Sequence, residues 1–201
     1  MKQKIKNKEM DMINGGIAGN LIIFALPVAF SSIMQQLFNS ADVAVVGRFA
    51  GDNALAAVGS CVALVGIFVN LIVGLSVGPN AVLANLIGQN KWERISGMMH
   101  TILAFGLILG GGLMVIGMLT ARTILELSGT PESVMGQALL YIWIYFTGIP
   151  FIVICNFGSA ILRSFGDTRH PMYYLIISGI VNVALNLFLV ICFHMGVAGV
   201  A

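Results

Sequence analysis

Ser32, Gln35, Asn39 and Asp42 follow one another at intervals of three, four and three residues within SSIMQQLFNSADVAVVG, residues 31–47. On an α-helix that spacing stacks the four side chains along one face. A second set, Ser178, Asn182 and Asn186, recurs every four residues along SGIVNVALN. Two amide-bearing stripes with one carboxylate suit a particular chemistry, the binding and release of a small cation. Amide and carboxylate oxygens can coordinate a hard cation, but only the carboxylate can also take and release a proton. A charged side chain near the centre of a membrane helix costs at least about 2.5–3.5 kcal/mol, so such a group normally faces a cavity or a partner. A proton or a cation relieves that cost, and the two therefore compete for Asp42. Competition of this kind is the elementary step of an exchanger, in which each ligand's preference for one conformational state drives the movement of the other.

Asp42 stands apart because the remaining acids, Glu9, Asp11, Asp52, Glu93, Glu126, Glu132 and Asp167, fall in expected loops or in the amino-terminal tail. Two plainer readings stay open at this point. Asp42 can sit wetted at the outer end of a span and pair with Arg48, and the amides can act as hydrogen-bonding glue between helices. Asn156 joins the cavity-lining candidates with a structural role as its other reading. GLSVG, residues 74–78, matches the G-x-S-x-G pattern and makes Ser76 a formal candidate nucleophile. That chemistry needs a base and a preceding strand. His100, His170 and His194 all fall at span ends and no strand is expected, so a non-enzymatic reading is preferred.

The elements that must position these residues are set by composition. The chain of 201 residues is 58% hydrophobic and 9% charged, whereas soluble domains run at about 45–50% apolar and about 25% charged. Cutting the sequence at its charges leaves uncharged runs at 12–41, 53–90, 95–121, 133–162 and 170–201, the shortest 27 residues long. Each exceeds the roughly 20 residues that cross a bilayer as a helix, and none shows the alternation of a barrel strand. An all-α polytopic membrane protein is expected, with spans near 16–40, 54–88, 98–120, 137–160 and 172–193 after an amino-terminal segment, 1–15. VAGVA, at 197–201, reads as the start of a sixth span, so the membrane domain, 16–201, is expected to be incomplete at its carboxyl end or part of something longer.

An inside set of Lys2, Lys4, Lys6, Lys8, Lys91, Arg94, Arg163 and Arg169 against Arg48 and Arg122 outside favours a cytoplasmic amino terminus in a cell membrane. The first span is too long for a signal-peptide core and has no small-residue cleavage site. A net charge of +2 confined to loops argues against nucleic acid as a partner. Cys61, Cys155 and Cys192 lie singly in apolar runs and are expected to be small buried side chains, not a disulfide or metal set. Pro27, Pro79 and Pro150 fall inside spans, Pro79 within GLSVGPN being the expected kink of the long second run. Gly106 and Gly110 form a G-x-x-x-G pair suited to close helix packing, and Gly66, Asn70, Gly74 and Gly78 give the second span a similar small face.

LPVAFSSIMQQLFNSADVAVVGRFAGDNALAAVGS, GLSVGPNAVLANLIGQ, SAILRSFGDTRHPM and NVALNLFLVICFHMGVAGVA together resemble the multidrug and toxic compound extrusion family of transporters, from about residue 20 onward. The resemblance implies the first lobe of a two-lobe, twelve-helix secondary transporter that exports organic cations and drugs against proton or sodium entry by alternating access. It implies no cofactor beyond the coupling ion, and an opposing lobe, from the same chain or a second subunit, as partner. It also implies a cation- or proton-binding role for Asp42, with sodium as the metal candidate there, a cavity-lining role for Gln35, membership of the ion site for Asn182, and helix bending at Pro27. Many microbial members carry an acid four residues after that asparagine. Here the position is Asn186, which can coordinate sodium but cannot release a proton, leaving the coupling ion open. A lipid-linked sugar flippase of the same superfamily is the runner-up, but it would call for basic residues within the spans and none is evident.

Overall fold

The computed structural model describes residues 17–193 and 195–201. The amino-terminal segment 1–15, with its four inside lysines, and His194 lie outside the described residues. Five long helices follow one another: α1 (Ile17–Phe49), α2 (Asp52–Gly88), α3 (Trp92–Leu127), α4 (Glu132–Ser164) and α5 (Arg169–Cys192). The described residues contain no strand. All five helices are long and apolar enough to cross a membrane, and their lipid-facing character shows in side chains such as Ile108, Leu119 and Leu127, which are 75%, 77% and 83% exposed.

The helices outrun the expected spans because apolar sequence and backbone hydrogen bonding continue past the charges. α1 extends to Phe49, nine residues beyond the expected limit at 40, so Asp42 lies within the helix and not in the following loop. α2 runs unbroken through Pro79 for 37 residues, about 55 Å at 1.5 Å per residue. The last turns are closed in a common way. After α3 the Gly129 amide donates to the Glu126 carbonyl and the Thr130 amide to the Leu125 carbonyl, both at 3.1 Å, with Gly129 at φ +75°. This is the left-handed helix stop that glycine favours. Gly166 ends α4 likewise, and Asn90 takes the same role after α2.

Two apolar clusters organise the bundle. The larger is built by α2, α3 and α4, whose buried residues recur every three or four positions, as in Ala138, Ile142, Phe146, Ile149, Val153 and Phe157 on α4. Phe146 is its wedge, meeting Phe68 of α2 edge-on at 4.8 Å between ring centroids. On its other side Phe146 fills the space over Gly117 of α3, where a Cβ would stand 2.6 Å from the ring. Gly106 admits Phe157 in the same way, and a Cβ on Gly110 would lie 2.7 Å from the Pro150 Cα. The G-x-x-x-G pair is thus a close helix contact. The small face of α2 is different: nothing lies within 4 Å of a Cβ placed on Gly66, Gly74 or Gly78, and Asn70 beside them is exposed.

The second cluster joins α1 and α5 to the rest through Val45, Val46, Ala54, Val58, Val190, Val197 and Val200. Residues 196–199, read from sequence as the first turn of a sixth span, form a 3-10 turn that packs here. Val45 and Val46 are the only buried side chains described on α1. One expectation is corrected. Cys61 is buried, its thiol donating to the Ala138 carbonyl at 3.5 Å, but Cys155 and Cys192 are exposed. Helices that are apolar all round give no sequence signal for which face turns inward.

The α3–α4 contact can be tested directly. Gly110→Ala forces a methyl group against backbone and is expected to destabilise the bundle by about 1–3 kcal/mol, the usual cost of overpacking. Gly66→Ala, in open space, is expected to cause no loss. Thermal unfolding in detergent, followed by circular dichroism, compares the two; equal melting temperatures would contradict the packing described.

Candidate ion-coupling site

The two polar stripes meet where α1 and α5 pack together. Asp42 Oδ1 accepts a hydrogen bond from Asn186 Nδ2 at 2.7 Å, and the same amide nitrogen donates to Asn182 Oδ1 at 3.3 Å. Asp42 and Asn186 are 144 residues apart. One turn further along each helix, Val46 and Val190 share the second cluster at the same separation, 190 minus 46. A constant offset is what two parallel helices in contact produce, and an even number of crossings from α1 to α5 delivers that orientation.

Packing brackets the hydrogen bond. On one side the valines of the second cluster close the end of the helix pair. On the other, the Phe38 ring lies directly over Gly179, where a Cβ would come within 2.1 Å of it. Asn186 is 4% exposed, so its amide is buried with its hydrogen-bonding capacity directed at Asp42 and Asn182. Asp42 is half-buried. Among the described residues the carboxylate makes no ion pair, and in particular none with Arg48; the recorded pairs are Arg122 with Glu126 and Asp167 with His170. Every other described acid sits in a terminal turn of a helix or in a connecting turn. Asp42 is seven residues inside α1.

The remaining candidates divide. Ser32, Gln35 and Asn39 lie on the α1 face that carries Asp42, and all three are exposed. Ser32 Oγ donates to the Val28 carbonyl of its own helix at 3.2 Å. Ser178 and Asn182 are exposed on α5, Ser178 bonded back to Leu175 at 3.0 Å. These residues form an open polar strip leading away from the buried asparagine, not an enclosed chamber. Asn156 is not brought to the site: on α4, its amide donates to the Ile152 carbonyl at 2.9 Å. Pro27 lies inside α1, and its carbonyl accepts the Ser31 hydroxyl at 2.7 Å, a back-bond of the kind that accompanies helix bending. Ser76 is buried with its hydroxyl returned to Val73 at 2.7 Å, and among the described residues no base bonds to it.

Tyr141 of α4 escaped the sequence reading. It packs against both clusters and so borders the site from the core side. Within LLYIWIYF it and Tyr145, four residues on and stacked at 6.2 Å between ring centroids, read as part of an aromatic, apolar run. The oxygens that meet at the site, from Asp42 and Asn182, suit a hard monovalent cation, and the carboxylate suits a proton, while Asn186 presents its amide nitrogen to both.

Comparison with known proteins finds relatives over most of the chain. Two curated relatives from Bacillus subtilis (strain 168) are each 32% identical to the chain. "Probable multidrug resistance protein YoeA" aligns with 83% of this chain and 36% of its own length, and "Probable multidrug resistance protein YpnP" with 96% and 44%. A solved crystal structure of MATE in the bent conformation superposes with a TM-score of 0.88 at 25% identity, covering 96% of this chain and 44% of that one. The chain therefore spans less than half the length of the curated relatives it matches. The MatE family model matches residues 27–188, an interval that contains Pro27, Asp42, Asn182 and Asn186, and the chain belongs to the MatE family of multi-pass membrane transporters.

Proposed function

We propose that this chain supplies the ion-coupling half of a transporter that exports cationic amphipathic compounds in exchange for protons or sodium. The observation that carries the reading is the half-buried Asp42 carboxylate, the only described acid set back from the ends of a candidate membrane span, held by a buried amide from a second helix. A group so placed changes its charge when it takes a proton or a cation, and a change of charge in a low-dielectric site alters which conformation is favoured. At 100 mV one charge crossing the membrane supplies about 2.3 kcal/mol, corresponding to a concentration ratio of roughly fifty. A one-for-one exchange of monovalent cations carries no net charge and draws only on the ion's concentration difference.

The sign of the substrate follows from the strip beside the site. Ser32, Gln35, Asn39, Asp42, Ser178, Asn182 and Asn186 include one negative charge and no positive one. Such a surface favours organic cations, and an anionic lipid-linked sugar would find no counter-charge there. The names of the relatives reported above, multidrug resistance proteins, support drug export. Pro27 and its Ser31 back-bond lie on the helix that carries Asp42, so bending at that point is the proposed route by which occupancy at the acid reshapes the exit path. With Asn186 in place of a second acid, the site holds one titratable group and can carry one ion per cycle.

Ethidium efflux from vesicles containing the complete two-lobe protein, with a cytoplasmic amino terminus, tests the assignment. Asp42→Asn is expected to reduce efflux to background, and equal rates in both proteins would defeat the reading. Asn186→Ala removes a hydrogen bond to a charged group, worth about 1.5–3 kcal/mol, and is expected to slow efflux about ten-fold or more. Residues 1–201 alone are expected not to transport unless two copies associate; efflux by a demonstrated monomer would show that no opposing lobe is needed.

A further inference from the structure

The α3–α4 hairpin, whose α3 touches neither α1 nor α5, carries two openings that the ion site does not use. One, of about 350 Å³, is lined by Arg122, Glu126, Thr130, Glu132 and Met135. The other, of about 390 Å³, is lined by Met118, Leu119, Trp143, Ile144 and Thr147. Leu119, Arg122 and Glu126 follow at three and four residues, so the two openings share one ridge of α3, while on α4 their nearest lining residues, Met135 and Trp143, stand eight residues or about 12 Å apart. The charged opening lies at the helix ends, where Glu132 begins α4 and Arg122 stands five residues before the end of α3. The apolar one lies deeper, with a half-exposed Trp143, eleven residues into α4, at its edge.

The polar groups of the upper opening are poised for a ligand. Arg122 Nε donates to Glu126 Oε1 at 2.8 Å, and its two terminal amino groups have no partner among the described residues. Thr130 is 8% exposed, and its hydroxyl is buried without a hydrogen-bond partner. The Thr130 amide is fixed to the Leu125 carbonyl at 3.1 Å, and Thr130 lines the opening. A buried hydroxyl left unpaired is costly, and a ligand oxygen or ammonium would satisfy it.

We propose that this hairpin binds a phospholipid with an amine headgroup, its phosphate on the free guanidinium edge of Arg122, its ammonium facing Glu126 and Glu132, and an acyl chain in the groove beside Leu119 and Trp143. Charge complementarity selects this occupant. A purely anionic headgroup meets two carboxylates, and a purely cationic amphipath meets Arg122; a headgroup with both signs satisfies all three side chains. Guanidinium groups recognise phosphate oxygens through their paired N–H donors, and the apolar groove continues into the bilayer.

Native mass spectrometry of the full chain in detergent, titrated with palmitoyl-oleoyl phosphatidylethanolamine or phosphatidylglycerol, tests the site. The ethanolamine lipid is expected to bind at about ten-fold lower concentration than the glycerol lipid. Glu132→Gln is expected to abolish that preference, Arg122→Gln to weaken both lipids, and Trp143→Ala to weaken both while leaving the preference intact. Arg122 and Glu132 are exposed, and circular dichroism of each variant checks that helicity is retained. Equal binding of the two lipids by the unsubstituted chain, or an undiminished preference in folded Glu132→Gln, would overturn the proposal. Displacement of the bound ethanolamine lipid by ethidium from the unsubstituted chain but not from Glu132→Gln would assign the site to cationic compounds and overturn it as well.

Discussion

A single hydrogen bond, from the buried Asn186 amide to the Asp42 carboxylate at 2.7 Å, ties the first helix of this chain to its fifth. Most of what surrounds it exists to make that contact geometrically available. Gly179 lets Phe38 lie flat on α5, the Val46 and Val190 pair keeps the two helices in register, and the tight α1–α2 turn brings Gly47 and Leu55 together at the same end. An unpaired carboxylate or an unpaired amide at membrane depth would be costly. Placed against each other, they leave only the carboxylate's remaining oxygen and the exposed strip beside it to respond to ions.

The rest of the bundle is held by a different device. α3 packs on α4 through glycines that admit whole aromatic rings, Gly117 for Phe146 and Gly106 for Phe157, and α2 meets α4 through Phe68 against Phe146. In a membrane, where lipid competes on equal apolar terms, close approach and dispersion hold helices together better than hydrophobicity does. The consequence is a division of labour within one small chain. A three-helix core keeps its shape, and a two-helix arm, joined to it through a cluster of valines, carries the ionisable group.

Much of this was legible in the sequence, and the limits have a physical pattern. The five helices could be read from the charges because a charge inside hydrocarbon is expensive; their ends could not, because helices persist past the bilayer until a Gly129-type stop. Asp42 and its amide neighbours stood out as polar residues in apolar surroundings. That Asn186, and not Gln35 or Asn39, would contact Asp42 depends on which faces of α1 and α5 meet, which four-residue spacing alone does not specify. Hydrophobicity likewise could not separate Cys61, which is buried, from Cys155 and Cys192, which are not. Gly106 and Gly110 were recognisable as a packing pair, whereas Gly117 and Gly179 became meaningful only once Phe146 and Phe38 were seen above them. Asn156 carried two readings in the sequence because an amide in an apolar run can equally well satisfy itself on its own helix, as it does with Ile152.

The valine joint also has mechanical leverage. From Val46 back to Ile17 the first helix extends for about 44 Å at 1.5 Å per residue, so a tilt of only about 10° at the joint would swing its far end by roughly 8 Å. A rearrangement too slight to disturb the packing of seven small side chains is amplified, at the opposite membrane surface, into a displacement wider than a water molecule.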